Sequence, residues 1–321
     1  MHDCRSSSFF FDLAGRSTNF ESRMMCHLLR VGLQLAAIWA VCPPALLVAQ
    51  APTRHRLMFF EYGNCPNRFV ELDTNGNIVR EFKPRSIAVI FQRLANGNIV
   101  YAYGGKPTGV VEVNAHNETV WNYVSQCPQV LGCERLSNGN TLVAEQGPCQ
   151  VVEVDPNGKV VHITGLFTNQ SAYHLQVRNV HRLDNGDIFA AHEGDGAIRE
   201  YAPDGRIVWQ YTGVENTGDA RRLADGNTLI GGGTQKRLIE VSPDGKIVWE
   251  FKAADAPAIN LTWVSSVQVL KNGNYLVGNF LRGHEGHGAH AFEVTRGKKV
   301  VWTFADHKQF KSVTTVRAVD E

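Results

Sequence analysis

Apolar and polar positions alternate in short runs along most of the chain, and the alternation itself repeats. Six times a run built around a glutamate is followed by a tight turn and a second apolar run: FVELDTNGNIVREF, VVEVNAHNETVWNYV, VVEVDPNGKVVHI, IREYAPDGRIVWQY, LIEVSPDGKIVWEF and AFEVTRGKKVVWTF. A second hairpin interleaves with these: QRLANGNIVYAY, ERLSNGNTLVAE, HRLDNGDIFAAH, RRLADGNTLIGG and QVLKNGNYLVGN. Period-two alternation predicts half-buried strands. Asn-Gly or Asp-Gly between such strands predicts two-residue type I′ turns, in which both central residues need positive φ. These dipeptides stand at Asn75-Gly76, Asn96-Gly97, Asn138-Gly139, Asn157-Gly158, Asn185-Gly186, Asp204-Gly205, Asp225-Gly226, Asp244-Gly245 and Asn272-Gly273.

Two hairpins per unit make each unit a four-stranded antiparallel sheet, and the leucines Leu94, Leu136, Leu183, Leu223 and Leu270 recur at the interval of a propeller blade. The ends fix the number. HRLMFFEYG enters the first unit at its second strand, so an innermost strand is missing there. The tail KSVTTVRAVDE aligns with WVSSVQVLKNG and supplies it. The expected fold is all-β: a six-bladed β-propeller of four-stranded antiparallel blades, closed by pairing of the C-terminal strand into the N-terminal blade.

The first fifty residues lie outside this pattern. Residues 1–23 read as a leader or as a start placed too far upstream. Residues 24–49 read as a secretory signal peptide: a cationic start at Arg30, an apolar stretch from Val31 to Val48, and small residues at Ala49 and Ala51. An uncleaved membrane anchor is the alternative, since the stretch is just long enough to span. Residues 50–321 form the single propeller domain. Export to the periplasm or outside the cell follows from the signal reading, with no membrane span after cleavage. Removing the leader leaves Cys65, Cys127, Cys133 and Cys149, which permit three pairings or four buried thiols. Lys plus Arg number 32 against 31 Asp plus Glu, so no basic field exists for nucleic acid.

Residues that recur in every unit have structural explanations. Trp121, Trp209, Trp249 and Trp302 occupy one position of the outermost strands, where a ring can fill the wedge between blades. Glu71, Glu112, Glu153, Glu200, Glu240 and Glu293, with Arg93, Arg135, Arg182 and Arg222, suit ion pairs that repeat with the blades.

Candidate chemistry gathers where the repeat breaks. Both tight turns of each unit fall on one face of the disk, which puts the irregular loops, and the expected site, on the other. Candidate ligand contacts there are Tyr173, His174, His192, Glu193, Trp263 and Arg282. The segment RGHEGHGAH offers His284, His287 and His290 as ligands for a divalent metal, or alternatively as a polar loop; it lacks the helical His-Glu-x-x-His spacing. A second constellation lies on the innermost strands, which carry Gln92, Glu134, His181, Arg221, Gln268 and Arg317 two residues before the recurring leucine or its equivalent Val319. Two residues earlier in the chain, further toward the loop face, stand Ile90, Gly132, Asn179, Asp219, Ser266 and Thr315. Here Glu134, His181, Asp219, Arg221 and Arg317 are the candidate catalytic groups, able to exchange protons and steady negative charge. The alternative is a hydrated channel whose polar groups satisfy one another.

The unit R-L-x-N-G-N-T-L-V followed by V-x-E-V-D-P-x-G-K-V-V-W resembles the propeller repeats of PQQ-like and arylsulfotransferase-like proteins, and exported bacterial six-bladed propellers, over about residues 56 to 321. The resemblance implies the fold. Quinone dehydrogenases of that class have eight blades and an adjacent-cysteine disulfide, absent here, so PQQ is not expected. Sulfotransferase-like repeats place His-Asp before the inner polar position, whereas this chain has Gly218-Asp219. The expected function is binding of a small polar or carbohydrate-like ligand at the loop face. A hydrolase or lyase using the axial His, Glu and Arg residues, and a protein-interaction scaffold, are the alternatives.

Overall fold

The computed structural model describes residues 55–63 and 66–320. The leader, the signal peptide and Cys65 therefore lie outside the described residues. Six four-stranded antiparallel sheets form a closed ring, a six-bladed β-propeller. In the first blade Val313–Ala318 is innermost, followed outward by Leu57–Glu61, Arg68–Leu72 and Ile78–Phe82. Phe59 pairs with Val316, Met58 with Arg317, and the Val319 N–H continues the ladder to Arg56 O at 2.9 Å. The second to sixth blades begin with the inner strands Phe91–Arg93, Gln129–Arg135, Asn179–Arg182, Ala220–Arg222 and Val264–Val269. Among the described residues no helix is long and apolar enough to cross a membrane.

Burial follows position in the blade. The two central strands pack against both neighbouring blades and are apolar on both faces, as in Ile99–Tyr103, which is buried throughout. The outermost strand has one dry face and alternates, as in Ile207–Thr212.

The turns differ from expectation. In Leu94–Asn98 the Gly97 N–H bonds Leu94 O and the Leu94 N–H bonds Asn98 O, and only Gly97 has positive φ, at 83°. This is a three-residue type I turn closed by a left-handed glycine, not a type I′ turn. Asn96 therefore contributes its side chain rather than its backbone: its Oδ1 accepts the Asn98 N–H at 2.9 Å. Asn117 and Lys298 take the left-handed place in the two turns that lack glycine there.

The recurring glutamates are structural, as the sequence indicated, and each joins two blades. Glu112 accepts from Asn98 of its own blade at 2.6 Å and from Arg135 of the next inner strand at 2.9 Å. Glu153 does the same with Asn140 and Arg182, and Arg222 meets Glu200. Two inner strands carry Val269 and Ala318 where the arginine belongs. There Arg296 and His55 reach Glu240 and Glu293 from elsewhere, so each of the six recurring glutamates has a cationic or imidazole partner. The outer tryptophan position obeys a similar rule. Trp209 donates to Pro243 O and Trp249 to Arg296 O, and where the ring is replaced, His162 contacts Pro203 O and Arg80 donates to Asn114 O. Four of the six positions thus place a nitrogen on the neighbouring blade's turn, whereas Trp121 Nε1 is buried without a partner.

Arg135 also lies 4.8 Å over the Trp121 ring. Arg135→Ala should therefore cost about 2–3 kcal/mol in urea unfolding, because it strips Glu112 of its cation and uncovers the ring. A loss indistinguishable from zero would show that these clamps do not hold the blades together.

Candidate functional site

The inner strands have one edge in the sheet and one facing the axis. Leu136 and Leu183 bond the second strands of their blades, so Arg135 and Arg182 turn their N–H groups to the axial side. Side chains of the preceding blade meet them. Gln92 Oε1 accepts the Arg135 N–H at 2.8 Å, Glu134 Oε2 the Arg182 N–H at 2.7 Å, and Gln268 Oε1 the Ala318 N–H at 2.9 Å. One level nearer the loop face, Asp219 Oδ2 accepts the Val267 N–H and Ser266 Oγ the Val316 N–H. Polar residues at the axis thus stitch one blade to the next, a role that side-chain type alone did not reveal.

At this level the structure brings together the five residues singled out for catalysis. His181 Nδ1 lies 3.0 Å from Glu134 Oε1, and Asn179 Nδ2 lies 3.2 Å from His181 Nε2 and 3.0 Å from Asp219 Oδ1. Arg221 and Arg317 reach the two oxygens of Asp219 at 3.2 Å and 3.0 Å. Burial would raise the Asp219 carboxyl, but the two guanidiniums, His181 and the Val267 N–H hold it below the ordinary aspartate value. Burial and the Arg221 charge hold His181 below the ordinary imidazole value, against the pull of Glu134 and Asp219. His181 is thus neutral at pH 7, donating from Nδ1 to Glu134 and accepting at Nε2 from Asn179. Its basic nitrogen is covered by an amide. The arrangement differs from an open acid–base pair: a proton acceptor there would first have to lose Asn179.

A cavity of about 990 Å³ opens over this cluster and is lined from all six inner strands, including Gln92, Glu134, His181, Arg221, Gln268 and Arg317. Its mouth is on the face of the tight turns, where Asp184, Asn185, Ala224 and Gly226 border it, with Phe189, Trp209 and Pro243 in the groove between the fourth and fifth blades. The sequence places the expected site on the opposite, loop face, whereas this cavity opens among the tight turns. Toward that face Ile90, Asn179, Asp219, Ser266 and Thr315 are all buried. A Cβ on Gly132 would sit 2.8 Å from Arg178 O, so the inner strands there are in backbone contact.

None of the expected loop contacts lines this cavity. His192 is fully buried between Gln176 O and the Tyr201 hydroxyl, each at 2.8 Å, and burial together with Arg199 pushes it down to about 4. Glu193 is held by Arg178, and His174 bonds Gln129 at 2.8 Å. Trp263 packs edge-on against Phe280, while Tyr173 and Arg282 are exposed. The three histidines of the glycine-rich loop do not converge either. His284 and His287 are exposed; His290 is buried beside Phe304 and His307. Among the described residues no three His, Cys, Asp or Glu side chains assemble as a metal site. Among the described cysteines Cys127, Cys133 and Cys149 are free thiols.

His290 makes no side-chain hydrogen bond, and burial with the neighbouring His307 pushes it down to about 4 against the pull of Asp306. Its folded value lies below its unfolded one, so stability is intact above about pH 6.5 and falls as pH drops toward 4 and the unfolded chain takes up the proton. His290→Phe should flatten this slope by about 1.4 kcal/mol per pH unit in denaturant titrations, with little change at pH 8. An unchanged slope would contradict the buried neutral imidazole.

No protein-family profile and no curated protein sequence matches the chain. Solved structures do. A protein of unknown function from Bacteroides caccae is 22% identical, with a TM-score of 0.72 over 83% of this chain and 98% of that one. A streptogramin B lyase is 12% identical, with a TM-score of 0.56 over 79% and 83% of the two chains. A catalytically inactive virginiamycin B lyase from Staphylococcus aureus, with quinupristin, is 11% identical, with a TM-score of 0.56 over 80% and 86%. At these identities the likeness is one of fold, the six-bladed propeller.

Proposed function

We propose that this propeller binds a small polar ligand in the axial cavity, entering from the face of the tight turns. The observation that carries this reading is Arg221. Only its Nη1 is engaged within the protein among the described residues, by Asp219 and Ala220 O, and the side chain lines the cavity. A cationic fork with spare donors above a volume typical of ligand sites is a recognition element. The part-exposed Trp209 borders the cavity and offers an aromatic surface for a ring, in keeping with a carbohydrate-like ligand, while Phe189 is buried behind it and Arg222 lies over both rings.

A second reading is a lyase or hydrolase, favoured by the His181–Glu134 contact inside the cavity and by a fold shared with streptogramin lyases. In that reading His181 Nε2 takes a proton once substrate displaces Asn179, and Arg221 steadies the developing negative charge. The signal-like segment 24–49 supports export, so the ligand would be met in the periplasm or outside the cell. Calorimetric screening against a library of polar metabolites and glycan fragments separates these outcomes. Saturable binding that Arg221→Ala weakens at least about tenfold, without turnover, is expected. Turnover abolished by His181→Ala would favour the enzyme, and the absence of any ligand alongside a stoichiometric protein partner would overturn both in favour of a scaffold.

A further inference from the structure

The stitching of the inner strands is incomplete, and the gaps share one chemistry. Leu94, Leu223 and Leu270 bond their second strands through Asn98, Asn227 and Asn274. The alternation of an antiparallel pair therefore turns the N–H groups of Arg93, Arg222 and Val269 to the axial side, as it does for Arg135, Arg182 and Ala318. The latter three are met by Gln92, Glu134 and Gln268. The former three follow Arg317, His181 and Arg221. A guanidinium cannot accept a hydrogen bond, and the free nitrogen of His181 already takes one from Asn179. Among the described residues no acceptor meets these three N–H groups.

We propose that the axial cavity recognises a small organic carboxylate, whose oxygens occupy the stations that Gln and Glu side chains occupy at the other three junctions. This rests on the axial reading of the function given above. The protein contains its own template: Glu134 bridges a backbone N–H, that of Arg182, and the neighbouring Nδ1–H of His181. A ligand carboxylate that bridges one of the open N–H groups and the spare donors of Arg221 repeats that geometry with a stronger partner. Arg93, Arg182 and Arg222 of the lining are already paired with Glu71, Glu153 and Glu200, so the attraction comes from the donors of Arg221 left over beside Asp219 and from the open N–H groups, not from an excess of charge. The cavity is large enough too, because about 990 Å³ holds an organic body as well as its charged group.

The test uses matched probes on the full propeller labelled with nitrogen-15: acetate with acetamide, benzoate with benzamide, and glucuronate with glucose. Carboxylates should shift the Arg93, Arg222 and Val269 amides saturably and bind at least about tenfold more tightly than their neutral partners. Arg221→Gln supplies an internal acceptor, as Gln92 and Gln268 do, and should remove the shift at Val269. Neutral probes that bind equally well at these amides would overturn the carboxylate class while leaving axial binding intact. Shifts confined to other amides, or none, would overturn both. Sulfate binding as tightly as the best carboxylate would reduce the site to one for an adventitious ion only. The probe comparison on the unsubstituted protein decides the matter even if the variant fails to fold.

Discussion

The innermost strand of the first blade comes from the far end of the chain, and its pairing with Leu57–Glu61 turns a row of sheets into a ring. Without it the first and sixth blades would each expose an apolar face. Phe59, Val70, Leu276, Trp302, Phe310 and Val316 belong to one buried cluster that spans this junction. Closure also sets the geometry of the axis. Arg317 lies on the closing strand, and from there it reaches Asp219 of the fifth blade.

Interblade contacts then divide into two concentric systems. Toward the tight-turn face, each recurring glutamate meets an arginine or histidine of the next blade, and four of the six outer-position side chains place a nitrogen on the next turn. Around the axis, amide and carboxylate side chains take up backbone N–H groups that have no sheet partner. Both systems obey the same constraint: a polar group removed from water must find a partner in the adjoining blade. Departures from the repeat are where this constraint is met differently. Arg296 and His55 stand in for the missing inner arginines. His181, Arg221 and Arg317 replace acceptors with groups that accept nothing further from the adjoining strand, and it is on this that the proposal of an outside acceptor at the axis rests.

Much of the fold was legible because it is written by local rules repeated many times. Glycine after Asn or Asp, alternating apolar residues and the matching ends gave the blades and their closure. The convergence of Glu134, His181, Asp219, Arg221 and Arg317 was legible too, since equivalent positions on inner strands must face one axis. The direction of the cavity was not, because it depends on how closely neighbouring backbones approach at Gly132 and how fully Asp219 and Ser266 are covered. Histidine types misled in the loops for a related reason. His192 and His290 look like ligands in sequence, yet each is enclosed by Tyr201 or by Phe304 and His307, partners that lie on other strands or loops. The turn type was missed because Asn-Gly serves two different turns, and the length of the loop decides between them.

Native-state hydrogen exchange of the closing strands tests the central claim most directly. If the ring is closed by Val313–Ala318 against Leu57–Glu61, the hydrogen-bonded amides of Phe59 and its neighbours should exchange only through global unfolding, as slowly as those of the central strand Ile99–Tyr103. Exchange of the closing strands at the rate of surface loops, with the other blades protected, would contradict it.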